Sequence, residues 1–263
     1  MLRSMYSSVA GLKVQQTKMD VIGNNIANVN TTGFKQGDVY FKEMISQDLG
    51  KQNGSPLNNQ VGLGVTVGAI DTKFTQGALQ STGRELDFAV EGDGLFVVVL
   101  PNDLKADMTG EVEDLQYTRD GIFAWDADGN LRTTDGNYVM GTDGKVVSKA
   151  TTIDNDIEVS SALAVATVNN YSGLEKLGNN NYKVSESSGE VELPWIGAPI
   201  GGGGFPANVD GAGKVRAGYT EMSNVDLASE FTNMIITSRA FQANSRTITT
   251  SDEMLQELVN LKR

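Results

Sequence analysis

The chain has 263 residues, a formal net charge of −12, no cysteine and no histidine. Lack of cysteine excludes disulfides, thiol nucleophiles and cysteine metal sites, and lack of histidine removes the commonest general base and transition-metal ligand. The acidic balance argues against nucleic acid as a partner. We therefore expect a protein that is not an enzyme, with no catalytic, cofactor-binding or metal-binding residues, no cofactor and no bound nucleic acid.

The first 33 residues carry a helical repeat. Apolar side chains recur every seven positions, at Met5, Leu12, Met19 and Ile26. This is the spacing of a coiled-coil seam. Three asparagines then accumulate, at Asn24, Asn25 and Asn28, with Gly33 close behind. Because asparagine and glycine are typical of helix ends, we expect this helix to end between residues 28 and 33.

A second heptad series occupies the other end of the sequence. Its members are Leu227, Met234, Phe241, Ile248 and Leu255, with Phe231 on the same face. Ser223 followed by Asp226 resembles a capping box, so a helix over about residues 224–261 is predicted, with Ser223 as its N-cap. The two stripes are narrow. They fit core helices of a monomer, and they also fit helices that pair with each other and then with neighbouring copies.

The middle of the chain has a different period. Residues 61–70 interleave glycine with β-branched residues, residues 86–90 alternate, and residues 95–100 form a continuous apolar run that predicts a buried strand. Gly92 and Gly94 predict a hairpin turn between the last two of these strands. Asp-Gly pairs near residues 128, 135 and 143 predict short antiparallel strands. Residues 50–60 and 197–213 are predicted to be loops.

One group of oxygen-bearing side chains resembles a metal site, namely Asp126, Asp128 and Asn130. A calcium loop of the EF-hand type requires glycine at its sixth position and glutamate at its twelfth, where this chain has Leu131 and Asn137. We therefore expect a hairpin turn at these residues and no bound calcium.

These patterns predict an α+β fold. Long N- and C-terminal helices would pair as a coiled-coil-like inner domain formed by residues 1–33 and 222–263. Residues 34–70 would be a connector with extended and loop segments, and residues 71–221 a β-rich antiparallel outer domain. Since no run approaches the ~20 apolar residues of a membrane helix, we expect no membrane insertion. The first residues include Arg3 but no sustained apolar region, so no cleaved signal peptide is expected.

Several segments resemble the sequence signatures of a known protein family. Residues 20–35 closely resemble the N-terminal signature of flagellar rod and hook proteins, and residues 222–245 resemble their C-terminal signature. Residues 92–96 and 117–123 also match that family. Within it, residues 61–65, 74–77 and 255–263 look most like a short hook protein, with the distal rod protein as the alternative. Residues 41–60 form a shorter stretch than the corresponding stretch of distal rod proteins.

The resemblance implies a structural subunit that polymerises with itself in the bacterial flagellar hook, a tube that transmits torque from rod to filament. Its implied partners are the adjacent axial proteins (rod, hook–filament junction and hook cap) and the flagellar type III export apparatus. The heptad residues and the three asparagines would pack against other subunits. A different class stays open on pattern alone, namely a monomeric adhesive or carbohydrate-active β domain.

Overall fold

The computed structural model describes residues 2–48, 60–102, 115–149, 159–195 and 212–261. Its helices are α1 (Leu2–Ala27), α2 (Val159–Ala162), α3 (Leu227–Leu261) and a 3₁₀ helix (Tyr171–Gly173). Its strands are β1 (Gly37–Glu43), β2 (Ser46–Asp48), β3 (Gln60–Gly62), β4 (Val65–Thr72), β5 (Leu79–Ser81), β6 (Phe88–Glu91), β7 (Leu95–Val99), β8 (Leu115–Thr118), β9 (Phe123–Trp125), β10 (Leu131–Thr133), β11 (Tyr138–Val139), β12 (Val165–Val168), β13 (Glu175–Gly178), β14 (Asn181–Lys183), β15 (Val191–Glu192), β16 (Lys214–Ala217) and β17 (Tyr219–Glu221). In the described part of the chain, no helix has the length and apolarity needed to cross a membrane.

This order of elements confirms the α+β class, with an N-terminal helix, a β-rich middle and a C-terminal helix. Helix α3 begins later than predicted because Asp226, and not Ser223, caps it. The Asp226 carboxylate accepts hydrogen bonds from the Ala228 amide at 3.0 Å and the Ser229 hydroxyl at 2.7 Å. These bonds satisfy donors in the first turn and lower the pKa of Asp226 below its usual value. The predicted loop segments lie largely outside the described residues.

By the density of its contacts, the chain forms two compact units. The first comprises residues 1–27, 37–73 and 225–263, and the second comprises residues 28–36 and 74–224. The domain boundaries predicted from the sequence concern independently folding domains, and they stay a prediction.

The first unit contains α1, α3 and strands β1 to β4. Strand β1 pairs antiparallel with β4, from Gly37 opposite Thr72 to Glu43 opposite Val65, and β2 pairs with β3. Helix α1 contacts both α3 and the β1–β4 pair. The buried apolar side chains of this unit are few, namely Val14, Ile22 and Val39 among the described residues. This unit therefore buries little apolar surface by itself.

The second unit is built around strand β7. A nine-stranded sheet runs in the order β13-β14-β8-β7-β11-β10-β9, with β12 also paired to β7 and β15 paired to β12. Strand β7 is wholly buried, as its continuous apolar run predicted. Because side chains alternate across a strand, Leu95, Val97 and Val99 enter one apolar cluster, while Phe96 and Val98 enter another on the opposite face. The two cores of this unit thus share one strand.

The predicted hairpin between β6 and β7 is wrong. Strand β6 pairs with β16, from Lys214 opposite Glu91 to Ala217 opposite Phe88, while β7 pairs with β8, β11 and β12. Gly92 and Gly94 do adopt positive φ angles of 108° and 138°. The glycines therefore turn the chain, but the partner of β6 comes from more than 120 residues further along the sequence.

The burial of Leu95 gives a test of the second unit. We expect Leu95→Ala to lower its free energy of unfolding by about 2–5 kcal/mol, because the change leaves a cavity in a closed core. Leu177 lies in the same unit but is 46% exposed, so Leu177→Ala serves as a matched control with little expected effect. Urea unfolding of the two variants measures the difference, and equal losses would contradict the assignment of the core.

Candidate assembly surfaces

The contact between α1 and α3 in the first unit is made by small and polar side chains. A Cβ atom at Gly11 would lie 2.7 Å from the Asn244 Nδ2 atom, so glycine permits the close approach of the two helices. Three residues away on each helix, the hydroxyls of Ser8 and Thr247 lie 2.5 Å apart and share a hydrogen bond. Such a contact sets the register of the helices while burying little apolar area.

The most deeply buried residues of α3 are polar and form a line along one side of the helix. Three residues on it are buried, namely Glu230, Thr237 and Ser251, and the half-buried Asn244 lies on the same line, so that the line repeats every seven residues. Each member of the apolar series from Leu227 to Ile248 lies three residues before a member of this line. The apolar series is therefore rotated away from the deepest contact.

The apolar residues of α3 remain open to a large extent. Leu227, Phe231 and Phe241 are exposed, at 39%, 50% and 39% of their surface, whereas Met234, Ile248 and Leu255 are half-buried. Ile235, Ile236 and Val259 are also exposed. A single copy of the chain thus presents an extensive apolar surface along this helix.

Helix α1 shows the same offset. Its predicted seam residues Met5, Leu12, Met19 and Ile26 are half-buried. The buried positions are instead Gly11, Val14, Ile22 and Asn25. The heptad spacing thus predicted the helix, but its most buried line is a neighbouring one. Whether the seam residues pack against other subunits stays a prediction.

The three asparagines occupy different environments. Asn25 is buried, and its side-chain amide donates to the Gly37 carbonyl at 2.8 Å and accepts from the Gly37 amide at 3.0 Å. It therefore fixes the start of β1 against the end of α1. Asn24 is exposed. Asn28 belongs to the second unit, where its side chain accepts a hydrogen bond from the Thr31 hydroxyl at 3.1 Å.

The second unit contains a buried ionic cluster that the sequence analysis missed. Glu221 Oε1 lies 2.7 Å from Lys35 Nζ, and Glu221 Oε2 lies 2.6 Å from Arg119 Nε. The Gly77 amide also donates to Oε1, at 2.8 Å. All three charged side chains are almost completely buried. Removing one partner would leave a buried charge without compensation, which is strongly destabilising.

Hydrogen bonds to the backbone complete the cluster. The Arg119 guanidinium donates to the carbonyls of Gly92 and Gly94, and to that of Val90 at 3.2 Å. Lys35 Nζ donates to the Thr75 carbonyl at 2.8 Å. Burial lowers the pKa of the Lys35 ammonium, and the Glu221 carboxylate acts in the opposite direction.

Asn224 extends this network to the surface. Its side-chain oxygen accepts from the Gln36 amide at 2.8 Å, while its Nδ2 donates to the Thr75 carbonyl at 3.2 Å and the Thr75 hydroxyl at 2.8 Å. We refer to Lys35, Thr75, Arg119, Glu221 and Asn224 together as the clasp. Lys35 and Arg119 lie inside two of the segments that resemble the flagellar family, and Asn224 lies inside a third. That resemblance is the only sequence signal that marks them.

The Asp126 region forms the predicted turn. The Asp126 amide donates to the Asn130 carbonyl at 2.9 Å, and Gly129 has a φ angle of 77°. The Asp126 carboxylate pairs with Arg132 at 2.7 Å. Within the described ranges, no group of three or more acidic side chains could hold a metal ion. The absence of calcium binding stays a prediction.

Three family models match the chain in order. The model described as "Flagella basal body rod protein" matches residues 5–35, "Flagellar hook protein FlgE/F/G D1 domain" matches residues 89–171, and "Flagellar basal body rod FlgEFG protein C-terminal" matches residues 216–261. The first and last cover most of α1 and α3, and the second covers β7 and much of its sheet.

Full-length relatives agree with these matches. The chain is 44% identical to the flagellar basal-body rod protein FlgG of Bacillus subtilis over 285 aligned residues, and 34% identical to that of Borreliella burgdorferi over 286, with all of each chain covered. It is 27% identical to the flagellar hook protein FlgE of Borreliella burgdorferi over 452 aligned residues, again with both chains fully covered. The chain therefore belongs to the flagellar basal-body rod and hook protein family and is a structural protein of the flagellum, not an enzyme.

Proposed function

We propose that the chain polymerises as a subunit of the flagellar distal rod, the alternative raised by the sequence. The observation that carries this proposal is the 44% identity to a basal-body rod protein over the whole of both chains. Alignments with the rod proteins need 285 and 286 positions, close to the 263 residues of the chain, whereas alignment with the hook protein needs 452. Both identity and length thus favour the rod over the hook.

The hook is the second candidate. Its support is the match to a hook protein across the whole of both chains, together with the hook-like residues 61–65 and 255–263. Both candidates describe an axial tube built from many copies, so they share one mechanism of assembly and differ in the shape and position of the polymer.

The mechanism that we propose for assembly is burial of the open apolar series of α1 and α3 between subunits, in a coiled-coil-like inner domain. The polar contact between the two helices leaves these apolar residues partly exposed in one copy. Burying apolar surface stabilises by about 25 cal/mol per Å², so a few hundred Å² per contact contributes several kcal/mol before ordering costs. The closed cores of the second unit need no such partner. They would keep this unit folded in the free chain.

The partners in this proposal are further copies of the chain, the adjacent axial proteins and the flagellar export apparatus. Recognition by neighbouring copies would rest on the apolar series, because these side chains gain most from leaving water. The negative net charge of −12 would keep the free chain soluble through self-repulsion until its local concentration is high.

The shape and place of the polymer decide between the two candidates. We expect electron microscopy of the concentrated, purified chain to show straight tubes if it is a rod protein and curved tubes if it is a hook protein. Gold labelling of a tagged copy in isolated flagella should mark the rod if the chain is a distal rod protein, and the segment between rod and filament if it is a hook protein. A chain that remains monomeric at high concentration and is absent from basal bodies would refute both.

A single substitution in α3 tests the role of the apolar series. Because Phe241 is 39% exposed and lies in the first unit, Phe241→Ala should hardly change the melting temperature of the β cores of the second unit in the free chain. If the polymer buries this ring, the change costs about 3–5 kcal/mol there, which raises the concentration needed for assembly on the order of 100-fold or more.

The matched control is Gln242→Ala, at the next residue of α3, whose side chain is also exposed. Sedimentation assays over a range of protein concentrations compare the two variants with the parent chain. Assembly of Phe241→Ala at the parent concentration would contradict apolar burial as the source of stability. So would an equal defect in the control.

A further inference from the structure

The chain passes between its two compact units four times, after Ala27, Gln36, Lys73 and Asn224. Every covalent path from one unit to the other runs through these points. Three of them lie within two residues of a clasp residue in the second unit, namely Lys35, Thr75 and Asn224. The clasp is therefore located where the chain enters and leaves this unit.

Three contacts join the entering and leaving segments directly. The Gly33 amide donates to the Glu221 carbonyl at 2.8 Å, Lys35 Nζ meets the Glu221 carboxylate at 2.7 Å, and the Gln36 amide donates to the Asn224 side chain at 2.8 Å. They tie residues 33–36 to residues 221–224 in consecutive order. Tension that arrives along the first segment can pass straight into the second, without travelling through the residues between them.

The same residues also hold the point after Lys73, where the chain enters the second unit again. Lys35 and Asn224 both donate to the Thr75 carbonyl, and the Met222 amide donates to the Ala78 carbonyl at 2.9 Å. Arg119 then joins Glu221 to the carbonyls that precede β7. Because these bonds lie side by side, a pull along the chain strains several of them at once. Their burial makes separation costly, since a charge would be left unpaired.

We propose that the clasp is a mechanical clamp, which carries tension between the entry and exit segments of the second unit and so shields the sheet around β7 from it. The inference goes beyond assembly and does not depend on whether the polymer is a rod or a hook. It explains why charged groups occupy this position. An apolar core would hold the sheet together, but it would not tie two adjacent backbone segments to each other in a fixed register.

Force measurements on single full-length chains test the clamp. Because the chain has no cysteine, cysteines added at its two ends give unique attachment points for optical tweezers. Asn224→Ala removes three hydrogen bonds of the clasp without removing a charge. At constant force between the ends, we expect the second unit of this variant to unfold about 5- to 30-fold faster than that of the parent chain.

The matched control is Asn170→Ala. Asn170 is an exposed asparagine of the same unit whose side chain accepts from the Ser172 amide and donates to the Ser187 carbonyl, neither of which belongs to the clasp. Its loss should leave the unfolding rate under end-to-end force unchanged. Lys35→Met is a second clasp variant with a larger expected effect. If it does not fold, Asn224→Ala decides the question alone.

A second pulling direction separates a clamp from a general stabiliser. Asp128→Cys and Glu186→Cys place both attachment points on exposed residues within the second unit, so that the force bypasses the clasp. Along this direction, Asn224→Ala should unfold at the parental rate. Equal acceleration along both directions, or no acceleration under end-to-end force, would overturn the proposal.

Discussion

The second unit is arranged around the two ion pairs of the buried Glu221 carboxylate. It pairs with Lys35, 186 residues away in sequence, and with Arg119, 102 residues away. Buried charges are tolerated when they are paired and hydrogen-bonded, and here the Gly77 amide and the carbonyls around β6 and β7 complete the set. Because each group depends on the others, the three chain segments that carry them admit one arrangement, and this fixes where the chain enters and leaves the unit.

The two units obtain their stability in different ways. The second unit closes two apolar cores over the faces of β7, whereas the first joins α1 to α3 through Gly11, Asn244 and hydroxyl groups. The apolar side chains of the terminal helices are consequently left partly in water. In a subunit of a flagellar rod or hook, this difference between the units would serve assembly. Order within one copy comes from the sheet, while the affinity between copies would come from helix surfaces that one copy cannot bury.

The corrections to the sequence predictions share one cause. Ser223 is a reasonable N-cap by residue type, but the neighbouring Asp226 takes the first-turn donors of α3. Gly92 and Gly94 turn the chain as expected, yet β6 finds its partner in β16. The heptad series of α1 and α3 do lie on helices, but the most buried residues of each helix are offset from the apolar series. In each case the local signal was present, and a competing contact decided its outcome.

By itself, the sequence determined the features that depend on spacing along the chain. These are the two terminal helices, the buried strand β7, the turn at Asp126 and the family, because helical and strand periods and turn residues act over a few positions. Only the tertiary structure decided which line of α3 faces α1, which strand β6 joins, and that Lys35, Arg119 and Glu221 meet. Those outcomes follow from the energy of burying particular groups together. No spacing along the chain encodes that energy, since the partners lie about 100 to 240 residues apart.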